Sequence, residues 1–485
     1  MTFNSIAFLV FFPTVALLYF LLPKKLTWIW LLLASYFFYM YWNWKLVFLI
    51  LFTTLVSYFS SLGMEKSNKK SIRALLLAAA LVSSLGVLGF FKYQGFFADT
   101  LNGVSALFGG GKLMSSLDLI LPVGISFYTF QTLSYVIDVY RGKIAAERHF
   151  GYYALFVSFF PQLVAGPIER PENLLPQLKE KHKFDPARTF SGLSKMAVGF
   201  FKKIAVADVV AGYVNAVYNN ADGATGPLVI ISTVLFAVQI YCDFSGYTDI
   251  AIGCARIMGI DLMKNFDRPY GARDIRDFWK KWHISLTSWF TDYLYIPLGG
   301  SRRGRARRML NIMIVFLVSG LWHGARWTFV IWGGIHGLYQ IIGHLTKAPR
   351  EKIYSLLHIK TDSKLFAAWQ RICTFVLVCF AWIFFRANSF SDLGKLLTSL
   401  GRGWGFSEIG ASLSAIGFTA SAALFIALAV AVMSRLDVLT QKDAEVIETP
   451  KTGYAVLATL VWAVAAAWLM LVSVGGTSSF VYFQF

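Results

Sequence analysis

The segment Gly320–Gly337 holds the side chain best suited to chemistry in this chain, the imidazole of His323. The segment has no acidic residue and lies between apolar runs, which places His323 at or near membrane depth, where ionisable groups are costly and usually functional. A neutral histidine can take the proton of a hydroxyl and so act as a general base. The alternative is a packed, hydrogen-bonded core histidine, which is the favoured interpretation for His336. Several glycines there permit close approach of a backbone or a ligand: Gly320, Gly324, Gly333, Gly334 and Gly337.

A second histidine, His283, lies in a strongly basic segment. Residues 264–308 carry eleven Lys and Arg against four Asp, and they are rich in aromatic residues. An apolar series at helical spacing predicts one amphipathic helix in the membrane interface, with Lys280 and Lys281 off its apolar face. His283 would then lie beside that face, in a stripe with Lys280 and Thr287. The helix either anchors the chain to anionic lipid or forms the floor of a site for an anionic donor. The apolar series is Phe278, Trp282, Leu286, Trp289 and Tyr293.

A third polar group lies inside the long apolar run that contains residues 239–249. Asp243 and Asp249 need partners at that depth, or they must be protonated. Tyr247 is one helical turn from Asp243, so a local hydrogen bond between them is possible. Two interpretations remain open for Asp243, a structural polar network and direct contact with a substrate.

The composition indicates that membrane helices, rather than a soluble domain, position these polar groups. Of 485 residues, 56% are hydrophobic and only 15% are charged, far fewer charges than a soluble domain carries. The net charge of +19 comes from basic residues in short loops between apolar runs, which fits the positive-inside rule and argues against nucleic-acid binding. The four cysteines form no CxxC pair, so neither a disulfide framework nor a metal site is expected. P-loop, Gly-x-Ser-x-Gly and His-Glu-x-x-His motifs are absent from the sequence.

The apolar runs predict an all-α, polytopic membrane protein with about 11 crossings of ~20 residues, plus re-entrant and interfacial helices. Placing the basic loops on the cytoplasmic side puts the N-terminus outside. It also requires an odd number of crossings between residues 92 and 168, where two apolar runs occur, so one of them is expected to be re-entrant. The predicted runs are 5–22, 27–42, 46–63, 74–91, 118–138, 151–166, 194–215, 227–258, 309–326, 327–345, 366–385, 413–433 and 453–474.

Four blocks, in order along nearly the whole chain, resemble the membrane-bound O-acyltransferase (MBOAT) superfamily and its bacterial alginate O-acetyltransferase-like subgroup. They are Pro161–Ile168, Gln239–Gly253, Asn265–Gly300 and Trp322–Ala325 with the Gly-rich run that follows. The resemblance implies a single membrane domain over residues 1–485, with helices around a central tunnel or funnel. It assigns catalytic roles to His323 and His283.

The resemblance also implies a thioester donor on the cytoplasmic side, acetyl-CoA or an acyl carrier protein, as co-substrate without a bound cofactor or metal. In acyl transfer from such a thioester to a hydroxyl, Trp322 and Gly324 would donate hydrogen bonds to the oxyanion that forms at the carbonyl. Asn265, Asp243, Lys280 and Lys281 would contact the substrates.

The implied product is an O-acylated polysaccharide outside a bacterial inner membrane, made with an SGNH-type partner and the polysaccharide machinery. Acetyl is the first choice of acyl group. D-alanyl transfer to teichoic acid is the second choice. A transporter or flippase is the rival from another class.

Overall fold

The computed structural model describes residues 1–117 and 119–442, and within these ranges all regular secondary structure is helical. In the first part of the chain the α-helices are α1 Ile6–Leu21, α2 Lys24–Met40, α3 Val47–Lys66, α4 Lys70–Leu88, α5 Gln94–Leu107, α6 Ile125–Tyr140, α7 Phe150–Ser158, α8 Pro171–Lys179, α9 Pro186–Phe200 and α10 Asp208–Tyr218. They are followed by α11 Gly226–Ile257, α12 Ile275–Lys281, α13 Ile284–Phe290, α14 Gly304–His323, α15 Trp327–Leu345, α16 Lys347–Leu356, α17 Lys364–Arg386, α18 Phe390–Ser399, α19 Phe406–Ala415 and α20 Ala420–Lys442. Among the described residues, the π-helical segments Gly89–Tyr93 and Phe201–Ala207 join neighbouring α-helices, and a third, Thr291–Tyr295, follows the end of α13.

Membrane-length helices are present, as composition predicts. Among the described residues, five helical stretches are long and apolar enough to cross a bilayer: Trp44–Lys66, Lys70–Leu107, Gly226–Ile257, Lys364–Arg386 and Ala420–Val438. Helices α1 and α2 are shorter, with 16 and 17 residues, or roughly 25 Å at a rise of 1.5 Å per residue. The predicted total of about 11 crossings stays a prediction, and the predicted run 453–474 lies outside the described residues.

Several predicted runs are interrupted or shortened in the structure. The run 194–215 is divided by the π-helical segment Phe201–Ala207. The run 413–433 breaks between α19 and α20, where Gly417 adopts a positive φ of 67°. In the run 118–138, the helix begins only at Ile125. Hydropathy cannot detect such breaks, because they change the backbone without changing the apolar composition.

Two compact units make up the described chain. The first contains residues 1–201, 246–263 and 439–442, and the second contains residues 202–245 and 264–438. The first part of α11, up to Ser245, therefore belongs to the second unit, and the remainder of that helix belongs to the first.

The first unit contains a buried non-helical segment where the sequence predicted the run 151–166. Helix α7 ends at Ser158, and residues 159–170 are buried in turns and irregular backbone, with isolated bonds such as that from the N–H of Gly166 to the carbonyl of Gln162 at 2.9 Å. Side chains satisfy the freed backbone: Ser35 Oγ accepts from the N–H of Phe160 at 3.1 Å, and Gln131 Nε2 donates to the carbonyl of Phe156 at 2.7 Å. Irregular backbone in a membrane protein is tolerated only where it is buried in protein in this way.

The second unit holds both sequence-predicted histidines. Helices α14 and α15 form an antiparallel hairpin joined by residues 324–326, and α12 and α17 also pack against α15. The hairpin is tight because glycines line its contact. A Cβ on Gly320 would lie 2.3 Å from the carbonyl oxygen of Phe329, and one on Gly333 would lie 2.2 Å from that of Phe316. The predicted role of these glycines in close backbone approach is thus confirmed at both positions.

Candidate active site

His323 is the last residue of α14, and its ring is buried in an aromatic cluster. The ring centroids of Trp322 and Trp332 each lie 5.0 Å from that of His323, and Phe385 of α17 lies at 5.5 Å. The site is therefore built from three helices of the second unit. The His323 ring packs against protein rings from each of them.

Gly324 allows the chain to turn directly after His323. Its backbone is extended, with φ −167° and ψ 150°, and its N–H donates a long hydrogen bond to the carbonyl of Gly320 at 3.4 Å. A Cβ at this position would lie 2.2 Å from the ring of Phe329, so only glycine fits without movement of that ring. This close contact is a packing reason for glycine, independent of the predicted oxyanion role.

His283 lies beside His323, with 6.5 Å between ring centroids, and Trp322 lies 5.9 Å from His283. The two histidines that the resemblance assigns to catalysis thus belong to one buried cluster in one unit. Phe244 closes another side of His283, with centroids 4.7 Å apart.

The local structure around His283 differs from the prediction. A single amphipathic helix was expected, but α12 ends at Lys281, and α13 begins at Ile284. His283 lies at the break, in the left-handed conformation with φ 44° and ψ 55°. The predicted stripe of Lys280, His283 and Thr287 therefore does not form, since it required one continuous helix.

The predicted apolar face is also placed differently. Its aromatic and leucine side chains are buried in protein instead of facing lipid. Aromatic packing stabilises the break: Phe278 stacks on Trp282 at 5.5 Å, and Trp282 contacts Trp382 of α17 at 5.3 Å. The prediction of an interfacial helix was wrong because a spacing of three and four residues also suits two short helices packed on one core.

Asn265 holds the break in place and orients His283. Its Oδ1 lies 3.0 Å from Nδ1 of His283 and accepts from the N–H and hydroxyl of Ser285 at 3.3 and 2.9 Å. Since a backbone N–H can only donate, the atom facing these groups is the amide oxygen, and Nδ1 of His283 must carry the proton. In the neutral ring, Nε2 is then the nitrogen with the lone pair.

Burial lowers the pKa of His283 to about 3, so its ring is neutral at physiological pH. Backbone bonds reinforce the arrangement, because Ile284 N–H donates to the carbonyl of Asn265 and Asp267 N–H donates to that of Lys281, both at 2.9 Å. A neutral imidazole with a fixed tautomer can accept a hydrogen bond or a proton through Nε2.

The charged residues of the prediction lie apart from this cluster. Lys280 is exposed, and Lys281 forms an ion pair with Asp277 at 2.9 Å on a partly exposed surface. Asp243 is buried and binds Lys203 at 2.6 Å, with Asp208 completing the group at 2.9 Å from the same ammonium. This ionic group supports the structural interpretation of Asp243 over substrate contact.

Sequence analysis missed two buried lysines on the π-helical segment Phe201–Ala207. Besides Lys203, Lys202 binds Asp437 at 2.5 Å, and Tyr241 donates to the same carboxylate at 2.6 Å. Two adjacent lysines inside an apolar run could have predicted buried ion pairs, since buried lysines require acidic partners. Within the described ranges, no group of three or more His, Cys, Asp or Glu has metal-binding geometry.

Comparison with known proteins provides independent information. A model of the MBOAT, membrane-bound O-acyltransferase family, matches residues 7–389. The probable alginate O-acetylase AlgI of Azotobacter vinelandii is 36% identical over 403 residues, covering 82% of this chain and 78% of that protein. The peptidoglycan O-acetyltransferase of Helicobacter pylori is 35% identical over 410 residues, covering 78% and 74%. The teichoic acid D-alanyltransferase of Bacillus subtilis is 26% identical over 284 residues, covering 56% and 70%.

Proposed function

Because this chain belongs to the membrane-bound O-acyltransferase family and transfers an acyl group to a hydroxyl, we propose that the group is acetyl and the acceptor an extracytoplasmic polysaccharide. The observation that carries the proposal is the pairing of His283 and His323 in one buried cluster. The two most similar relatives named above are O-acetylating proteins that act on alginate and on peptidoglycan.

In the proposed reaction, His323 takes the proton of the acceptor hydroxyl while the hydroxyl oxygen bonds to the thioester carbonyl carbon. The tetrahedral intermediate collapses by breaking the carbon–sulfur bond, and the leaving thiolate takes the proton back from His323. General base catalysis of this kind contributes roughly 10² to 10⁴ in rate. Trp322 and Gly324 are the proposed hydrogen-bond donors to the oxyanion, with the Gly324 N–H exchanging its long bond to the carbonyl of Gly320 for the oxyanion.

His283 is proposed to bind the reacting groups through the lone pair of Nε2, since the contact with Asn265 assigns the ring proton to Nδ1. Its neutral state suits a hydrogen-bond acceptor for the hydroxyl or for the leaving thiol. The acyl donor and the hydroxyl acceptor would enter one passage from opposite faces of the membrane and meet at His323. The donor thioester, acetyl-CoA or a carrier protein, would come from the cytoplasm.

The wider setting of the proposal is a bacterial inner membrane with the N-terminus outside. The whole chain would form one membrane domain. An SGNH-type partner would finish transfer to the polysaccharide. A polysaccharide synthase or an SGNH-type protein encoded beside this chain would identify the acceptor.

A second candidate is D-alanyl transfer to teichoic acid, favoured by the Bacillus subtilis relative. It is the weaker one, since that relative covers 56% of this chain at 26% identity, against 82% at 36% for the Azotobacter vinelandii protein. Supplying purified protein with acetyl and D-alanyl thioesters in parallel would separate the two, because the preferred acyl group gives the higher kcat/KM.

The test of the proposal uses labelled acetyl-CoA and purified protein in vesicles. The wild-type chain is expected to transfer the label covalently to a hydroxyl acceptor, and His323→Ala is expected to lose this transfer while it expresses and folds normally. Near-normal transfer by the variant would remove His323 from the mechanism. Label that crosses the vesicle unchanged would instead indicate a transporter.

A further inference from the structure

A cavity of about 370 Å³ lies in the first unit, on the segment that joins α8 to α9. It is lined by residues 182–186 together with Arg188 of α9 and Gly259, which follows α11. Ligand pockets in proteins begin at roughly 300 Å³, so the cavity is large enough for a small polar group. Its residues take no part in the mechanism proposed above.

The cavity lies beside the end of α1. Lys181 donates to the carbonyl of Leu22, the residue that caps this helix, at 2.6 Å. The ring of Phe184 meets that of Phe20 on the last turn of α1, with centroids 5.5 Å apart. Since α1 contains no charged residue and a pair of lysines follows it at 24–25, its end marks a surface of the membrane.

Exposed apolar side chains continue from the cavity along α1. Leu17 and Leu21 lie one turn apart and are 60% and 68% exposed, and Phe184 on the cavity wall is 59% exposed. Exposed apolar patches of this kind mark surfaces that contact a membrane or a partner. In a chain that spans the bilayer, a patch along α1 contacts lipid acyl chains, which places the cavity at the level of the headgroups.

Positive charge dominates around the cavity, because the acidic side chains nearby are already engaged. Asp185 accepts from the N–H groups of Ala187 and Arg188 at 2.8 and 3.2 Å and so caps α9. Lys183 is exposed, and within the described ranges it forms no ion pair. The loop and the helix ends beside it hold six basic residues against three acidic ones: Lys24, Lys25, Lys181, Lys183, Arg188 and Arg256 against Glu180, Asp185 and Asp261.

Arg188 offers a donor that the protein itself does not use. Its Nη2 lies 2.8 Å from Asp261, whereas its Nε is buried and has no hydrogen-bond partner in the part of the chain that the structure describes. Buried N–H groups are normally satisfied, and guanidinium groups suit phosphate oxygens. Gly259 keeps the opposite wall close, since its φ is 84° and a Cβ there would lie 2.4 Å from Cβ of His182.

We propose that this cavity binds the phosphate of an anionic glycerophospholipid, with Lys183 and Nε of Arg188 donating to the phosphate oxygens. The acyl chains of that lipid lie along Leu17 and Leu21 and against the ring of Phe184. A soluble phosphate ester shares the phosphate chemistry, but the apolar surface that continues from the cavity along α1 fits the lipid. The bound lipid is not a substrate, so the site is independent of the proposed acyl transfer.

The test measures lipid binding to the purified full-length chain in neutral detergent, by native mass spectrometry and by the unfolding temperature. Phosphatidylglycerol is the anionic probe, phosphatidylcholine with the same acyl chains is the zwitterionic comparison, and glycerol phosphate is the soluble ester. Phosphatidylglycerol is expected to bind more tightly than phosphatidylcholine and to raise the unfolding temperature. Glycerol phosphate is expected to leave the unfolding temperature unchanged.

Two substitutions examine the cavity itself. Lys183→Gln is expected to weaken the affinity for phosphatidylglycerol about 5-fold, the contribution of one lysine to attraction by anionic lipid. Arg188→Lys keeps a cation beside Asp261 but has no Nε–H, so it is expected to weaken the affinity about 3- to 12-fold, the effect of one hydrogen bond. The matched control is Lys112→Gln, which removes an exposed lysine between α5 and α6 of the same unit and should leave the affinity unchanged.

Each outcome decides the proposal. Equal affinities for the two lipids, or equal losses in Lys183→Gln and Lys112→Gln, would overturn it. A loss in Lys183→Gln with none in Arg188→Lys would indicate diffuse attraction to the surface instead of a phosphate site. Stabilisation by glycerol phosphate equal to that by phosphatidylglycerol would assign the cavity to a soluble ester and reject the lipid. If Arg188→Lys lowers the unfolding temperature without lipid, the comparison of Lys183→Gln with its control decides alone.

Discussion

Replacing Asn265 should remove the hydrogen bond that fixes the orientation of the His283 ring in the site. Its single side-chain oxygen accepts three hydrogen bonds, from His283 and from two groups of Ser285, in a position closed to solvent. At about 0.5–1.5 kcal/mol for each bond, Asn265→Ala should reduce the free energy of unfolding by about 2–4 kcal/mol. It should also release the tautomer and the left-handed backbone of His283, and lower acetyl transfer by about 10²-fold, the cost of misplacing a group that positions the reacting atoms.

Asn265→Asp provides the complementary change. A carboxylate can accept the same hydrogen bonds, but its negative charge stabilises the protonated ring and so raises the pKa of His283 from about 3. If the neutral ring is the active form, a higher pH is then needed to populate it. The acidic limb of the pH–rate profile should therefore move to higher pH.

The assays are acetyl transfer over a range of pH and thermal unfolding of the purified protein in detergent. Ser285→Ala is the matched control, because it removes one of the three bonds and leaves the contact between His283 and Asn265 intact. It should cost about 1 kcal/mol in stability with a small effect on rate. Wild-type stability and rate in Asn265→Ala, or an unmoved pH profile in Asn265→Asp, would refute this reasoning.

Three further predictions concern other parts of the chain. Gly324→Ala should place a methyl group 2.2 Å from the Phe329 ring, destabilise the fold by about 1–3 kcal/mol and lower acetyl transfer at equal expression. Lys202→Met should leave the buried Asp437 without its cation and cost about 3–5 kcal/mol in thermal or denaturant unfolding, whereas adding Asp437→Leu should restore much of the stability. Burial raises the pKa of Glu169 to about 7, above its ordinary 4.5, so the folded state binds the extra proton between these values and stability should fall as pH rises through them, by at most about 1.4 kcal/mol per pH unit. Glu169→Gln should abolish that slope in unfolding temperatures measured between pH 4.5 and 8.

Both histidines proposed for the active site were predicted from sequence, although by different routes. His323 stands out physically, as an imidazole in an apolar, glycine-rich segment. His283 was a candidate from its position in the basic, aromatic segment, and the family resemblance assigned it to catalysis. Nothing in its own neighbourhood indicates that it lies 6.5 Å from His323. Contacts between distant segments depend on how the helices pack, and one sequence does not contain that information.

The backbone at His283 shows a second limit of prediction from sequence. Periodicity continued through the break, so residues 278–293 seemed to form one helix. A left-handed histidine is uncommon and has no local signature. It exists here because Asn265, 18 residues earlier, binds its side chain. Similarly, the sequence did not predict the ion pairs of Lys202 with Asp437 and of Lys203 with Asp243, because those partners lie 235 and 40 positions away (437 − 202 and 243 − 203).

The buried pair of Lys202 and Asp437 also bears on where this enzyme can be cut. The match to the family ends at residue 389, yet Asp437 lies on α20, well beyond that boundary. A fragment truncated at the boundary would retain the ammonium and discard the carboxylate that neutralises it. A fragment that ends at the boundary of the family match is therefore expected to be less stable than the full chain, and a shortened enzyme should retain α20 to keep this ion pair.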